Sequence, residues 1–250
     1  MPASEATVPL TDDGFLRGDA VFEAVLVRQG RTHILEAHLA RLRRSANKLG
    51  IRVPVLRHVV ADLLAAWGER DGVMRLIVTR AGTVRGLMET VRHPETISLH
   101  VLDIPWRSAL TGVKTLSYAV NQWAIREARA HDADDALIMS DDTVLELPTG
   151  SICAINGDRV SAPDPGQLPI LDSATLLELS TVIDIDFRIL RLDDIRDADE
   201  VFVVSATRPV LAVHAIVTGD DQYVYEAPGP ATQQIRERFD EHINNTVDVP

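Results

Sequence analysis

At 250 residues, with 46% hydrophobic and 25% charged side chains, the chain has the make-up of a soluble globular protein of one or two domains, not of a disordered or fibrous one. A formal charge of −12 opposes binding to nucleic acid or to anionic membranes, which need a net positive footprint. No apolar run approaches the ~20 residues that cross a bilayer, the N-terminus lacks a basic-then-apolar signal, and the single cysteine, Cys153, excludes an internal disulfide and a CxxC site, so a cytoplasmic protein without membrane or nucleic-acid partners is expected.

Along the chain, AVFEAVLVR (Ala20–Arg28) predicts a strand, Gln29-Gly30 a turn and Thr32–Leu35 a returning strand. Leu35, Leu39, Leu42, Ala46 and Leu49 recur at spacings of three and four and predict a helix that Gly50 closes. A second amphipathic helix is predicted over Val55–Trp67, then strands over Val73–Arg80 and Thr96–Asp103. Together these make a small α/β domain over 1–104. The segment 105–112, with Pro105 and Gly112, reads as a linker, and 113–250 as a larger second domain. Within the latter, helices are predicted over Tyr118–His131, Ala174–Ile183 and Ala231–Asn244. Strands are predicted at Ala136–Met139, Val144, Ile152–Ile155, Phe187–Leu190 and Glu200–Ser205.

Only two of the 25 basic residues are lysines, Lys48 and Lys114. Arginine cannot be deprotonated at working pH and cannot serve as a nucleophilic amine, so a retained lysine is a candidate for amine chemistry. Arg41, in HLARLRRSA, flanks the apolar helix stripe and can reach inward to a phosphate, whereas Arg43, Arg44 and Lys48 read as a solvated face. Ser173-Ala174-Thr175 opens a predicted helix, where unpaired N–H groups suit an anion and ordinary N-capping is the simpler alternative. Glu146 stands alone in an otherwise apolar strand, as an edge carboxylate or as a partner for a protonated ring nitrogen. No metal site, nucleophile elbow, P-loop or GxGxxG appears; His33 and His38 are too isolated from other ligands to suggest zinc.

Five segments in order resemble the class IV aminotransferases, the fold type IV family of pyridoxal 5′-phosphate (PLP) enzymes. They are RGDAVFEAVLV (Arg17–Val27), HLARLRRSANKLGI (His38–Ile51), KTLSYAVN (Lys114–Asn121), DADDALIMSDDTVLELPTGSICAI (Asp132–Ile155) and ADEVFVVSATRPVLAV (Ala198–Val213). The resemblance implies an α+β, two-domain fold, PLP as cofactor, a small-molecule substrate and a homodimer. It implies Lys114 as the Schiff-base lysine, Arg41 as a phosphate ligand and Glu146 as the carboxylate facing the pyridine nitrogen. Ser173, Ala174 and Thr175 fall on the first phosphate turn, and Ser205, Ala206 and Thr207 on the second. Two positions depart from the family pattern: Ser173-Ala174 replaces a Gly-Ile pair, and Ser151 replaces an asparagine. The chain also begins late relative to the family.

Among the family's activities, KTLSYAVN and SATRPV are most similar to aminodeoxychorismate lyases, which convert 4-amino-4-deoxychorismate to 4-aminobenzoate and pyruvate in folate biosynthesis. Lyases of the better-known type carry a threonine where this chain has Ala24. The alternatives are transamination of branched-chain amino acids, D-amino acids or amines, and PLP binding without turnover. Arg17, Arg80 and Arg208 are candidates for the substrate's two carboxylates, with surface placement as the alternative for each.

Overall fold

The computed structural model describes residues 5–92, 94–219 and 221–248. The chain divides into two compact units, one of Met1–Arg92, Val113–Tyr118 and Ile243–Pro250, the other of His93–Gly112 and Ala119–His242.

The first unit opens with a short helix, α1 (Asp13–Arg17). Asp12 caps it, its Oδ1 accepting from the Gly14 N–H at 2.8 Å, and Gly18 ends it at φ 68°. Strands β1 (Ala20–Arg28) and β2 (Arg31–Thr32), helices α2 (Leu35–Leu49) and α3 (Arg57–Trp67), and strands β3 (Gly72–Thr79) and β4 (Val84–Glu89) follow. The sheet order is β2-β1-β3-β4, all antiparallel. Alternation along β1 sends Val21, Val25 and Val27 into a core with Leu35, Leu39, Leu42 and Ala46 of α2 and Val60 of α3. By the same period Phe22, Ala24 and Leu26 face the other side of the sheet.

Two expectations shift here. α3 begins at Arg57, not Val55, with Leu56 at the N-cap position and no side-chain cap hydrogen bond. β4 went unread because VRGLME contains a glycine and no clean alternation. Its Gly86 packs closely under α3: a Cβ there would lie 2.3 Å from Leu63 Cδ1, so the Leu63 side chain would have to shift.

The segment 113–118 rejoins this unit along β1. The Phe22 N–H donates to the Lys114 carbonyl at 3.0 Å, the Leu116 N–H donates to that of Ala20 at 2.9 Å, and Val21 bridges Thr115. The Lys114 N–H itself donates to Ser45 Oγ on α2 at 3.1 Å. Lys114 thus belongs to the first unit, and the segment read as a linker lies inside the second.

The second unit holds β5 (Thr96–Asp103), α4 (Ala119–Ala130), β6 (Asp135–Ser140), β7 (Thr143–Val144), β8 (Ser151–Asn156), β9 (Arg159–Pro163), α5 (Ala174–Leu179), β10 (Ile185–Arg188), β11 (Leu190–Arg191), α6 (Leu192–Arg196), β12 (Glu200–Ser205), β13 (Arg208–Thr218) and β14 (Asp221–Val224). The last helix, α7 (Pro230–Thr246), starts here and its final turn is counted with the first unit. Among the described residues the strands form one mixed sheet, β10-β9-β8-β12-β13-β5-β6-β7-β11, with β14 on β13. β5, assigned from sequence to the first domain, is central here because it runs parallel to both β13 and β6.

Leu99, Leu137, Ile152, Val201, Val203 and Val213 build the core on one side, while Ala124 and Ala128 of α4 close on Ala136, Ile138 and Leu145 on the other. α5 stops at Leu179 instead of Ile183: Ser180 and Thr181 turn their hydroxyls back onto the Leu177 and Glu178 carbonyls, and the β-branched Val182 and Ile183 that follow are poor helix formers. The strand read over Phe187–Leu190 is two, β10 parallel to β9 and β11 antiparallel to β7.

Candidate active site

In the first unit the candidate site is built on Lys114. Its position is fixed by backbone pairing to β1 and by Ser45, and its Nζ lies 4.7 Å from the centroid of the Phe22 ring. That ring is held edge-on against Tyr118, centroids 5.6 Å apart at 86°. Lys48, the other lysine, is exposed on α2.

Beneath, on the helix-facing side of β1, lies a charge cluster. Glu23 is 0% exposed, and its Oε1 accepts from Arg41 Nε at 2.7 Å and its Oε2 from Arg41 Nη2 at 2.8 Å. His38 Nδ1 lies 2.8 Å from Oε2. Burial alone would raise the Glu23 pKa, but hydrogen bonds and charge from Arg41 and His38 overcome it and bring it down to about 2. Burial lowers the His38 pKa, and the charges of Arg41 and Lys114 lower it further against the pull of Glu23. An ionised Glu23 can only accept, so the neutral His38 ring donates its Nδ1 proton to it.

Arg41 is therefore buried and oriented by Glu23, not solvated like its neighbours Arg43 and Arg44. Glu23 was missed from sequence, although a carboxylate in phase with Val21 and Val25 in AVFEAVLVR carried the signal. The arginines read as carboxylate ligands have protein partners. Arg17 is exposed and paired with Asp13. Arg80 binds Asp19 with Nε and Nη2 and donates to the Leu49 and Gly50 carbonyls at the end of α2.

In the second unit Glu146 follows β7. Its Oε1 accepts from Trp106 Nε1 at 2.9 Å and its Oε2 from the Leu171 N–H at 3.1 Å, so the carboxylate is oriented by one side chain and by the loop leading to α5. Ser173 caps that helix, its Oγ accepting from the Leu176 N–H at 3.2 Å. Ala174 and Thr175 are buried, at 7% and 4% exposure, and the first turn of a helix leaves their N–H groups without intrahelical acceptors. Leu145, Ser151, Ile170, Leu171, Ser173 and Leu176 line a pocket here.

Ser205, Ala206 and Thr207 form the turn between β12 and β13, where Ser205 Oγ lies 3.2 Å from Thr207 Oγ1 and accepts from the Arg208 N–H at 3.1 Å. Arg208 binds Asp135 at 3.0 Å and also Thr149, and Gly150 packs against the Val204 carbonyl, so the loop after Glu146 is fastened to this turn. The structure thus joins Glu146 to the approach to α5, and its loop to the 205–207 turn, within one unit. The donor set suits PLP: a lysine amine, an oriented guanidinium, buried N–H groups and hydroxyls for a phosphate, and a carboxylate held by two donors for a ring nitrogen.

The family model for amino-transferase class IV matches residues 20–216. The chain belongs to the class IV aminotransferases. It is a PLP-dependent enzyme with the α+β architecture of fold type IV, and its family acts on small-molecule substrates. It is 32% identical over 241 residues to the bifunctional aminodeoxychorismate lyase / D-amino acid transaminase of Mycobacterium tuberculosis, covering 80% of this chain and 83% of that protein. Its fold superposes with a TM-score of 0.85 on the PLP-bound form of a hypothetical aminotransferase from M. tuberculosis, at 28% identity and covering 98% of this chain and 96% of that one. A fold IV-transaminase from Curtobacterium pusillum superposes with a TM-score of 0.80 at 29% identity, covering 95% and 91%. Among the described residues no helix of this class IV enzyme is long and apolar enough to cross a membrane.

Proposed function

We propose that this class IV enzyme cleaves 4-amino-4-deoxychorismate to 4-aminobenzoate and pyruvate, with Lys114 as the residue that carries the cofactor and moves the proton. The observation that carries this reading is the placement of Lys114: of two lysines it alone is tied by its backbone to β1, with Nζ set against the Phe22 ring. The M. tuberculosis relative whose name includes this lyase activity supports the choice of substrate.

When bound, PLP supplies an electron sink for the carbon that bears the substrate nitrogen. Lys114 Nζ takes the proton from that carbon as general base. On the first unit Arg41, oriented by Glu23, would serve as a ligand of the cofactor phosphate; on the second, the N–H groups of Ala174 and Thr175 and the turn of Ser205, Ala206 and Thr207 would serve as phosphate donors, with Ser173 ordering the first of these turns as its cap. Glu146, oriented by Trp106 and Leu171, would serve as the carboxylate partner of the pyridine nitrogen. Enolpyruvate leaves with its bonding electrons, takes up a proton to give pyruvate, and the six-membered ring becomes aromatic.

The second reading is transamination of D-amino acids, favoured by the lack of a hydroxyl on the face of β1 that carries Phe22, Ala24 and Leu26. Purified, PLP-loaded protein given 4-amino-4-deoxychorismate and no amino acceptor tests the choice. Pyruvate and 4-aminobenzoate in equal amounts are expected. Their absence, with D-alanine converted to pyruvate only when 2-oxoglutarate is present, would replace the lyase by the transaminase.

A further inference from the structure

The strands beneath the turn of Ser205, Ala206 and Thr207 do not by themselves fix where that turn points. Ser205 stands opposite Arg208, but the next pair in register is Val203 with Leu211, so β13 carries one residue more than β12 between the two pairs. Such an irregularity interrupts the ladder and leaves the end of the hairpin to be aimed by other contacts. Within the turn, Ser205 Oγ accepts from the Arg208 N–H at 3.1 Å and lies 3.2 Å from Thr207 Oγ1. Those bonds order the turn internally without anchoring it.

The anchor is the Arg208 side chain. Its Nη1 donates to Asp135 Oδ2 at 3.0 Å, its Nη2 donates to Thr149 Oγ1, and Thr149 Oγ1 donates to the same Asp135 oxygen at 3.4 Å, which closes a triangle. The Arg208 and Asp135 side chains are only 13% and 7% exposed, so water competes little with these bonds. Asp135 is itself fixed at the start of β6, its Oδ1 accepting from the Ala136 N–H at 2.9 Å. Thr149 belongs to the tight turn that follows Glu146, closed where the Leu147 N–H donates to the Gly150 carbonyl at 2.8 Å and held from α4 by Asn121, which donates to the Pro148 carbonyl at 2.9 Å. The planar fork of an arginine reaches both acceptors at once, which a lysine does not. Arg208 therefore ties the 205–207 turn to the loop that carries Glu146, and its terminal nitrogens are spent on protein acceptors instead of a substrate.

In PLP a rigid ring and a single methylene arm confine the separation of the ring nitrogen and the phosphate. A protein that grips both ends has to hold its two anchors at a matching separation. Given the reading of Glu146 and the 205–207 turn as two such anchors, we propose that Arg208 is a positioning residue that sets their separation through Asp135 and Thr149, and so favours the phosphorylated cofactor over its unphosphorylated form.

The test titrates the cofactor-free full chain with PLP and with pyridoxal, which keeps the ring and the aldehyde but lacks the phosphate, and follows binding by absorbance. Arg208→Met is expected to weaken PLP by about 10- to 100-fold, the worth of a charge-assisted hydrogen bond, and to leave the affinity for pyridoxal unchanged. Because that variant strands the Asp135 charge in a buried site, the double change Arg208→Met with Asp135→Asn is measured beside it. It removes both charges and is expected to show the same selective loss in a more stable protein. Arg208→Lys is expected to recover part of the PLP affinity, since it keeps the charge without the fork. Thr207→Val, which deletes a donor of the turn itself, is expected to weaken PLP alone. Combined with Arg208→Met it is expected to lose less than the product of the two single losses, because both act through one turn.

Unchanged PLP affinity in the single and double Arg208 variants, or equal weakening of PLP and pyridoxal, would overturn the proposal. If Thr207→Val still weakens PLP in that case, the turn stays a phosphate site and only the role of Arg208 falls. A Thr207→Val protein that binds PLP as the native protein does would instead strike the turn from the cofactor site, and the role of Arg208 with it.

Discussion

Glu23 grips Arg41 through two charge-assisted hydrogen bonds of 2.7 and 2.8 Å, with the carboxylate fully buried and the guanidinium 7% exposed. Removing one partner from such a pair strands the other charge in a low-dielectric interior. Glu23→Leu is therefore expected to cost about 3–5 kcal/mol in urea denaturation. The double change Glu23→Leu with Arg41→Met is expected to recover much of that loss while abolishing tight PLP binding. A double variant that binds PLP as the native protein does would remove Arg41 from the phosphate site.

The same cluster sets an acid limit on stability. Glu23 titrates at about 2 in the folded chain against an ordinary value of 4.5, so its contribution is complete above the unfolded value and is lost as pH falls toward 2. The shift corresponds to roughly 3 kcal/mol at neutral pH, an order-of-magnitude figure. His38, lowered from 6.5, adds a second loss that begins as pH drops below that value, because the unfolded chain takes up a proton that the folded chain refuses. Denaturation midpoints are expected to stay level from pH 8 down to about 6.5 and to fall from there to pH 3, and His38→Gln to flatten the part just below pH 6.5. A profile that stays level from pH 8 to pH 3 would contradict both assignments.

Much of this cluster was legible in the sequence. Arg41 stood out because it flanked the apolar stripe of α2, and Lys114 because lysine is rare. Glu23 was legible in principle, since period two places it on the buried face of β1, but isolated carboxylates in strands usually face water. β4 and the central position of β5 were not legible. VRGLME becomes a strand by pairing with β3, and β5 reads as a strand in either unit, so only its partners β6 and β13 decide where it belongs. Partners of single arginines are equally nonlocal: Asp19 lies 61 residues from Arg80 and Asp135 lies 73 from Arg208, separations that no local pattern encodes.

Lys114→Ala is expected to leave the fold intact, because β1 and Ser45 hold this segment through its backbone and not through the amine. Turnover is expected to drop by at least about 100-fold, the lower end of what a positioned general base contributes, and covalent retention of PLP after borohydride reduction to vanish. Lys48→Ala, at an exposed position, is expected to change neither quantity. Normal turnover in Lys114→Ala would exclude it as the proton-moving residue.

Gly86 meets a purely steric demand, with Leu63 Cδ1 2.3 Å from the site of a Cβ. Gly86→Ala is expected to cost about 1–3 kcal/mol through overpacking between β4 and α3. The paired change Gly86→Ala with Leu63→Ala should cost less than the sum of the two single changes, because the shortened side chain makes room for the new methyl. Strictly additive losses would mean that the contact does not limit this packing.

Trp106 offers a way to separate the orientation of Glu146 from its charge. The indole N–H donates to Oε1 while the Leu171 N–H holds Oε2, so Trp106→Phe deletes one of these two restraints and leaves the carboxylate in place. Glu146→Gln instead removes the charge, and its amide can accept from only one of these donors, leaving the other opposite an NH2 group. If Glu146 serves the pyridine nitrogen, Glu146→Gln is expected to lower kcat by about 100-fold and to shift the absorbance of bound PLP, because the ring loses its charge partner. Trp106→Phe should cost no more than about 10-fold, roughly one hydrogen bond, and keep the native spectrum. Equal kcat losses with unshifted spectra in both variants would make Glu146 a structural brace for the loop before α5, with no part in the chemistry.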